Sequence, residues 1–219
     1  MTAAQARRAQ PSSEPAAPAR ERILVAALAA FAERGFDGAT TRAIAAAAGV
    51  NLGLIPYYFA DKQGLWREAV DRAFAELERG VGNVVRDAHS LEDRERLALL
   101  IRAYVRFVAR NPEFVRLMHE EGKHDGPRME WLVDRHVRPL YQAIAQLTER
   151  ARGLGRIPVD IDPLHLHYIL AGSVGLIFHQ APECRRLSGR DPMDDSMVEA
   201  HADAVVQLLV GPDGEETRV

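Results

Sequence analysis

The stretch from Thr40 to Lys62, TTRAIAAAAGVNLGLIPYYFADK, constrains this chain more than any other part of its 219 residues. It divides into a short Ala-rich helix opened by Thr40, a turn at Gly49, a second short helix capped by Asn51 and ending in Tyr57-Tyr58-Phe59, and Asp61 as the cap of a further helix. Two short helices joined by a Gly-containing turn are the sequence form of a helix-turn-helix, whose second helix enters the DNA major groove. Gly49 admits a backbone angle that a side chain would hinder. Ala47, Val50 and Ile55 are small or β-branched and are placed to close the motif against a preceding helix. Thr41, Arg42, Asn51, Gly53, Tyr57 and Tyr58 then remain outside, where they can meet phosphates or base edges.

Composition agrees with a helical, soluble chain. Ala and Leu dominate, aromatics are only 6%, and no convincing run of alternating strand residues occurs. No apolar run approaches the roughly 20 residues that span a bilayer. The N-terminus lacks the apolar core and cleavage site of a secretory signal. Cys184 is the single cysteine, which excludes an intrachain disulfide and makes a reducing, cytoplasmic setting the expectation. The net charge of −3 argues against nucleic acid only if it is summed over the whole chain. Residues 1–65 hold seven basic side chains against five acidic ones, so the basic excess sits at the helix-turn-helix end.

Along the chain, residues 1–18 are expected to be a disordered tail, and Arg7 and Arg8 a solvated part of it. Helix one runs from Arg20 to Arg34 and is stopped by Gly35. The fourth helix continues past Leu77 to Gly80 or beyond. Amphipathic helices follow around Leu97–Val108 and Phe114–Met118, then a long one from Pro127 to the Gly153-Leu154-Gly155 break. Pro163–His179 and Asp194–Leu209 complete an all-α chain of about nine helices.

Residues 20–66 resemble the DNA-binding domain of the tetracycline-repressor (TetR) family. The resemblance rests on FAERGFDGATT, TTRAIAAAAGV, N-L-G-x-I-x-x-Y-F and D-K-x-x-L-W at matching spacing. A looser likeness continues through NPEFVRLMHEEG, W-L-V-D-R-H-V-R-P and HADAVVQLLVG. It implies a three-helix DNA-binding domain at 19–66 with the motif at 40–59, an effector-binding and dimerisation domain at 67–212, and a tail at 213–219. It places Thr41, Tyr58 and Lys62 toward phosphate, and Asn51, Leu52, Gly53 and Tyr57 nearer base edges, with Arg20 and Thr40 also among the DNA-binding residues. Arg42 belongs with them as a DNA-facing charge. Two residues depart from the family pattern: Leu54 stands where a small hydroxyl is common, and Pro56 where an aromatic is common. Beyond the first helical position Pro56 removes a hydrogen bond, so the recognition helix is predicted to kink or to start late.

The larger domain carries the remaining expectations. Gly172 and Gly175, among small residues, and Val198, Ala202, Val205 and Leu209 form the expected homodimer interface. Two-fold symmetry then calls for a palindromic double-stranded DNA operator. Tyr104, Phe107, Phe114, Met118, Trp131, Tyr141, Tyr168 and Phe178 are available to line a pocket for a small apolar or amphipathic effector. Glu121 falls on an apolar stripe, so its carboxylate must be paired, by an internal Arg or by the effector. The histidines match no compact metal-ligand spacing, and no cofactor is expected. A repressor released by its effector is the leading reading. An effector-independent DNA-binding protein would have a filled interior. An all-α enzyme would need a catalytic constellation, and none is legible.

Overall fold

The structure is a computed structural model, described over residues 18–88, 90–153 and 161–211. Among these the chain is helical throughout. Helices α1 (Ala19–Gly38), α2 (Thr41–Ala47) and α3 (Leu54–Phe59) form a small head. Helix α4 (Lys62–Leu77) leaves the head and continues through a π-helical turn (Glu78–Gly82) into α5 (Asn83–Asp87). The body contains α6 (Asp93–Arg110), α7 (Pro112–Glu121) and α8 (Pro127–Leu132). A second π turn (Val133–Val137) runs α8 into α9 (Arg138–Gly153). Helices α10 (Pro163–His179), α11 (Ala181–Ser188) and α12 (Asp195–Val210) follow. The π turns fuse two pairs of segments, giving ten continuous helices among the described residues. The one beyond the expected nine is α11, a short amphipathic piece opened by Pro182 and closed by Gly189. The expected tails, apart from Pro18, lie outside the described residues, as does the Leu154-Gly155 part of the expected break.

Local chemistry sets these boundaries. The Thr40 hydroxyl accepts from the Ala43 N–H at 3.2 Å and the Asp61 carboxylate from the Gly64 N–H at 2.7 Å, each covering an orphan donor of its helix. Glu92 and Glu95 make a reciprocal capping box at the start of α6. Helix α1 breaks at Gly35, whose φ of +66° lets the last turn swing aside.

The apolar stripe of α1 (Ile23, Leu24, Ala27, Phe31) is buried with Ile44, Ile55, Phe59, Leu65 and Trp66 to make the core of the head. Ile44, Ala45 and Ala48 are the buried residues of α2 and its C-cap, and Ala47, expected inside, faces solvent. In the body, α6 packs along α12 and crosses α10, burying Leu97, Ile101, Val105 and Val108 against Val198, Ala202 and Val206. Helix α1 lies against both α4 and α7, so head and body share one continuous core.

Candidate DNA-binding face and effector cavity

The turn of the helix-turn-helix is held from several sides. Gly49 has φ +63°, and the Arg22 side chain donates to the Ala48 carbonyl at 3.1 Å, tying α1 to the end of α2. Asn51 was expected to cap the recognition helix. Its Oδ1 instead accepts from the Gly53 N–H at 2.8 Å, and α3 opens at Leu54 with no side-chain cap. The late start puts Pro56 in the first turn, where its missing N–H has no intrahelical partner to lose. Leu54 is half-buried against the core, so it offers no substitute for the absent hydroxyl.

The outward residues sort clearly. Tyr57 is 76% and Leu52 41% exposed, with Thr40, Arg42, Asn51, Gly53 and Pro56 also exposed beside them. Thr41 and Tyr58 are half-buried, and the Tyr58 ring meets Tyr57 edge-on at 4.9 Å. Phe59 is core. Lys62 folds back over the Phe36 ring at 4.6 Å and donates to the Asp37 carbonyl at 3.3 Å. Arg20 pairs with Glu68 on α4 and lies over the Phe59 ring. Both cations therefore edge the face while bracing its helices.

Behind the head, α4, α6, α9 and α10 line a partly open cavity of about 710 Å³. Its wall is largely aliphatic, with Leu77, Val81, Leu100, Leu140, Ala143 and Ile144. Among the described residues, Nε of Arg96 is buried and without a hydrogen-bond partner, although its Nη1 reaches Asp93 at 3.2 Å. Tyr104 lines the same space, and burial pushes its hydroxyl up to about 12, so it stays a neutral donor. Burial also holds His167 below the usual histidine value. Both π turns border the cavity, through Glu78, Val81 and Gly82 on one and Arg135 and His136 on the other. Such turns recur where a helix is deformed for function.

Of the aromatic set expected to line the pocket, Tyr104 alone does. Phe107 and Phe114 pack edge-to-face at 5.3 Å in the core, and Phe178 is buried against His201. Trp131 sits on Trp66 at 5.4 Å, and Tyr141 meets His167 edge-on at 5.7 Å. Met118 and Tyr168 border a separate, more open cleft beside His119 and His179. Large rings are the best space fillers, so they close the core, and smaller side chains are left around the void. Arg96, Leu100 and Tyr104 are spaced i, i+4, i+8 on one stripe of α6, the sequence signal that points to the cavity wall.

Of its two expected partners, Glu121 takes the internal Arg, away from the cavity. It is 2% exposed and accepts from Nε of Arg128 at 3.2 Å. The Arg128 guanidinium also lies 4.2 Å over Phe36 and 6.0 Å from Trp66. This cluster clamps α7 and α8 of the body onto the end of α1 and onto α4. A second tie runs from the cavity wall: Asp71 on α4 accepts from Arg135 at 2.6 Å and bonds Nε2 of His136 at 2.8 Å. The His136 ring stacks on Phe74 at 4.3 Å. Burial lowers the proton affinity of His136, and Asp71 offsets only part of that.

The expected dimer residues lie mostly inside the protomer. Val198, Ala202 and Val205 are buried within the chain, and Leu209 is half-buried on the core. A Cβ on Gly175 would stand 3.3 Å from Val115, so this glycine serves the close approach of α7 to α10. Gly172 alone of the set faces outward, with open space around it. It stands among exposed Leu164, Tyr168, Ile169 and Leu176 on α10, with exposed Leu208 on α12. Both helices are apolar around most of their circumference, so sequence alone cannot separate the inner stripe from the outer one.

A helix-turn-helix head joined by one helix to a hollow helical body defines a ligand-responsive, DNA-binding transcriptional regulator. Residues 23–69 match the model of bacterial regulatory proteins of the tetR family, and residues 94–209 that of a tetracyclin repressor-like C-terminal domain. The chain belongs to the TetR family. It is 27% identical over 164 residues to the HTH-type transcriptional repressor AcnR of Corynebacterium diphtheriae, covering 71% of this chain and 78% of that one. Its fold matches AibR in complex with isovaleryl coenzyme A and operator DNA, with a TM-score of 0.72 at 21% identity, covering 89% of this chain and 100% of that one. It also matches FadR from Bacillus subtilis in complex with stearoyl-CoA, with a TM-score of 0.66 at 18% identity, covering 88% and 98%.

Proposed function

We propose that the chain is a homodimeric repressor that leaves a palindromic operator when an amphipathic acyl compound enters the cavity behind α4. It acts on cytoplasmic DNA and catalyses nothing. The observation that carries this reading is the double use of α4: its N-terminal end packs against the recognition helix, while Asp71, Phe74 and Leu77 form a cavity wall. An occupant that presses on that wall has a direct lever on the head. The aliphatic lining suits a hydrocarbon chain, and the unpartnered Arg96 donor suits a carbonyl or carboxylate at its end. The acyl-thioester ligands named for AibR and FadR support the class.

The protomer's role follows. Residues 19–66 bind DNA through Thr40, Thr41, Arg42, Leu52, Gly53, Tyr57 and Tyr58. Residues 67–212 bind the effector and dimerise through the outward face of α10 and α12. An effector displaces the equilibrium only by its difference in affinity between the DNA-bound and released states. The test is release of the protein from its operator, followed by fluorescence anisotropy at fixed salt, with acyl thioesters and free fatty acids of graded length. Release by part of the series, lost when Ala143→Phe fills the cavity, is the expected outcome. Indifference to the whole series sinks the effector class.

A further inference from the structure

The outward surface of the recognition helix and the turn before it is nearly all carbon. Leu52 and Tyr57 are its large exposed side chains, and Gly53 and Pro56 lie exposed between them. Bidentate reading of base edges takes a guanidinium, an ammonium or a side-chain amide. Between Gly49 and Ala60 the sequence has no Arg, Lys, Gln, Ser or Thr. Its one amide, Asn51, has its oxygen tied to the Gly53 N–H at 2.8 Å, which holds the side chain against the turn instead of free to pair bidentately with a base. Arg42 is exposed, but it stands on α2, the helix that crosses the sugar-phosphate backbone in this motif. Lys62 is turned back onto Phe36 and the Asp37 carbonyl.

What remains to Leu52 and Pro56 in the major groove is the one apolar mark on its base edges, the 5-methyl group of thymine. We infer that this regulator reads its operator chiefly through thymine methyl groups, with Leu52 and Pro56 as the specificity-determining residues. The inference rests on the DNA-binding reading above and adds what the bound face recognises. Phosphate contacts set the register, and the bases are sorted by where a methyl group meets a carbon surface.

The test uses the full chain and a duplex enriched by it from a random pool. Thymidines are then replaced by deoxyuridine, which removes only the methyl group. At one or two positions per half-site the replacement should weaken binding about fourfold, the factor for burying one methyl-sized group, and roughly fifteenfold when both half-sites are changed. The slope of affinity against salt should stay the same, because no phosphate contact is altered. In Leu52→Ala and Pro56→Ala, the thymine-to-uracil ratio at the matching position should fall to about one. A merely misfolded variant would weaken both duplexes equally and keep the ratio. Deoxyuridine tolerated at every position overturns the inference, as does a larger loss from 7-deazapurines, which remove the N7 acceptor. A pool in which nothing is enriched at low salt sinks the DNA-binding reading itself, and the inference with it.

Discussion

The head and the body are built of the same Ala- and Leu-rich helix, yet one is closed and the other hollow. In the head, short helices are pinned by caps, by a close glycine at Gly64 and by Phe31, Ile44, Leu65 and Trp66 with almost no exposed surface. In the body, two π turns deform long helices around about 710 Å³ of cavity. The difference is one of job. A surface that must match DNA needs fixed geometry, whereas a sensor needs a space whose filling changes the position of a wall.

The sharpest way to break this comparison is to make the same change in both places. Leu65→Ala in the sealed head should cost about 3–4 kcal/mol, the range of large cavities in rigid cores. Leu140→Ala, on the cavity wall, should cost about 1–2 kcal/mol, since one side of that leucine has few atoms to lose. Urea unfolding of the two variants measures both. Equal losses would mean that the body is as tightly filled as the head.

The clamp between the two regions comes next. Glu121→Ala leaves Arg128 without its buried partner and should cost about 1–3 kcal/mol, discounted because Arg128 is partly exposed. Glu121→Gln, which keeps an acceptor of the same shape, should recover most of that. Operator affinity should fall with the alanine variant by more than its unfolded fraction explains, because Arg128 also fixes Phe36 at the end of α1. Affinity that tracks stability alone would reduce the clamp to simple packing.

How much of this was legible in the sequence follows the same division. The head could be read almost residue by residue: Thr40 and Asp61 as caps, the stop at Gly35, the late start that Pro56 forces. Those signals are local, a side chain acting on its own backbone a few residues away. The failures are tertiary. Asn51 turned to Gly53 instead of capping α3, since the turn offered a nearer donor. Seven of the eight large apolar or aromatic residues expected at the pocket went elsewhere, chiefly into the core. Val198, Ala202 and Val205 faced α6 rather than a partner. Glu121 was read as a charge that must be paired, but the site of its partner, across a Gly-rich turn at Arg128, is a matter of three-dimensional packing. The π turns left no mark in the sequence, because each needs only one extra residue per turn.

Acid should distinguish the regions more gently. His136 and His167 border the cavity, and burial holds both below the ordinary value of 6.5. His119 is lowered likewise by burial, with His179 and Lys123 adding to it. Around His136 the Asp71 carboxylate works the other way and Arg135 the same way, and burial prevails. The unfolded chain therefore binds more protons than the folded one just below pH 6.5, so stability is complete above that value and declines as pH falls through it. Thermal unfolding between pH 7.5 and 5.5 should show the decline, flattened in His136→Gln and His167→Gln. The same scan should leave Leu65→Ala offset by a constant amount, since the head core holds no histidine among its buried residues.

The smallest effect tests the joint where the head's fixed geometry begins. Phe59, Ala60 and Asp61 make a three-residue turn closed by the Asp61 N–H on the Phe59 carbonyl at 2.7 Å, with Ala60 at φ +62° and ψ −61°. That form of γ-turn is rare and strained for a residue with a Cβ. It passes the chain from the recognition helix to α4 in the shortest space, and it sets the Phe59 carbonyl so close that a Cβ on Gly64 would stand 2.2 Å from it. Ala60→Gly relieves the strain but loosens the unfolded chain, so the net gain should be about 0.5–1 kcal/mol, visible as a small rise in Tm. If the turn also holds the recognition helix rigid against α4, the same variant should bind operator slightly more weakly while being more stable. Stability and affinity rising together would mean that the strain serves no purpose at this joint, and that the head's rigidity comes from its caps and core alone.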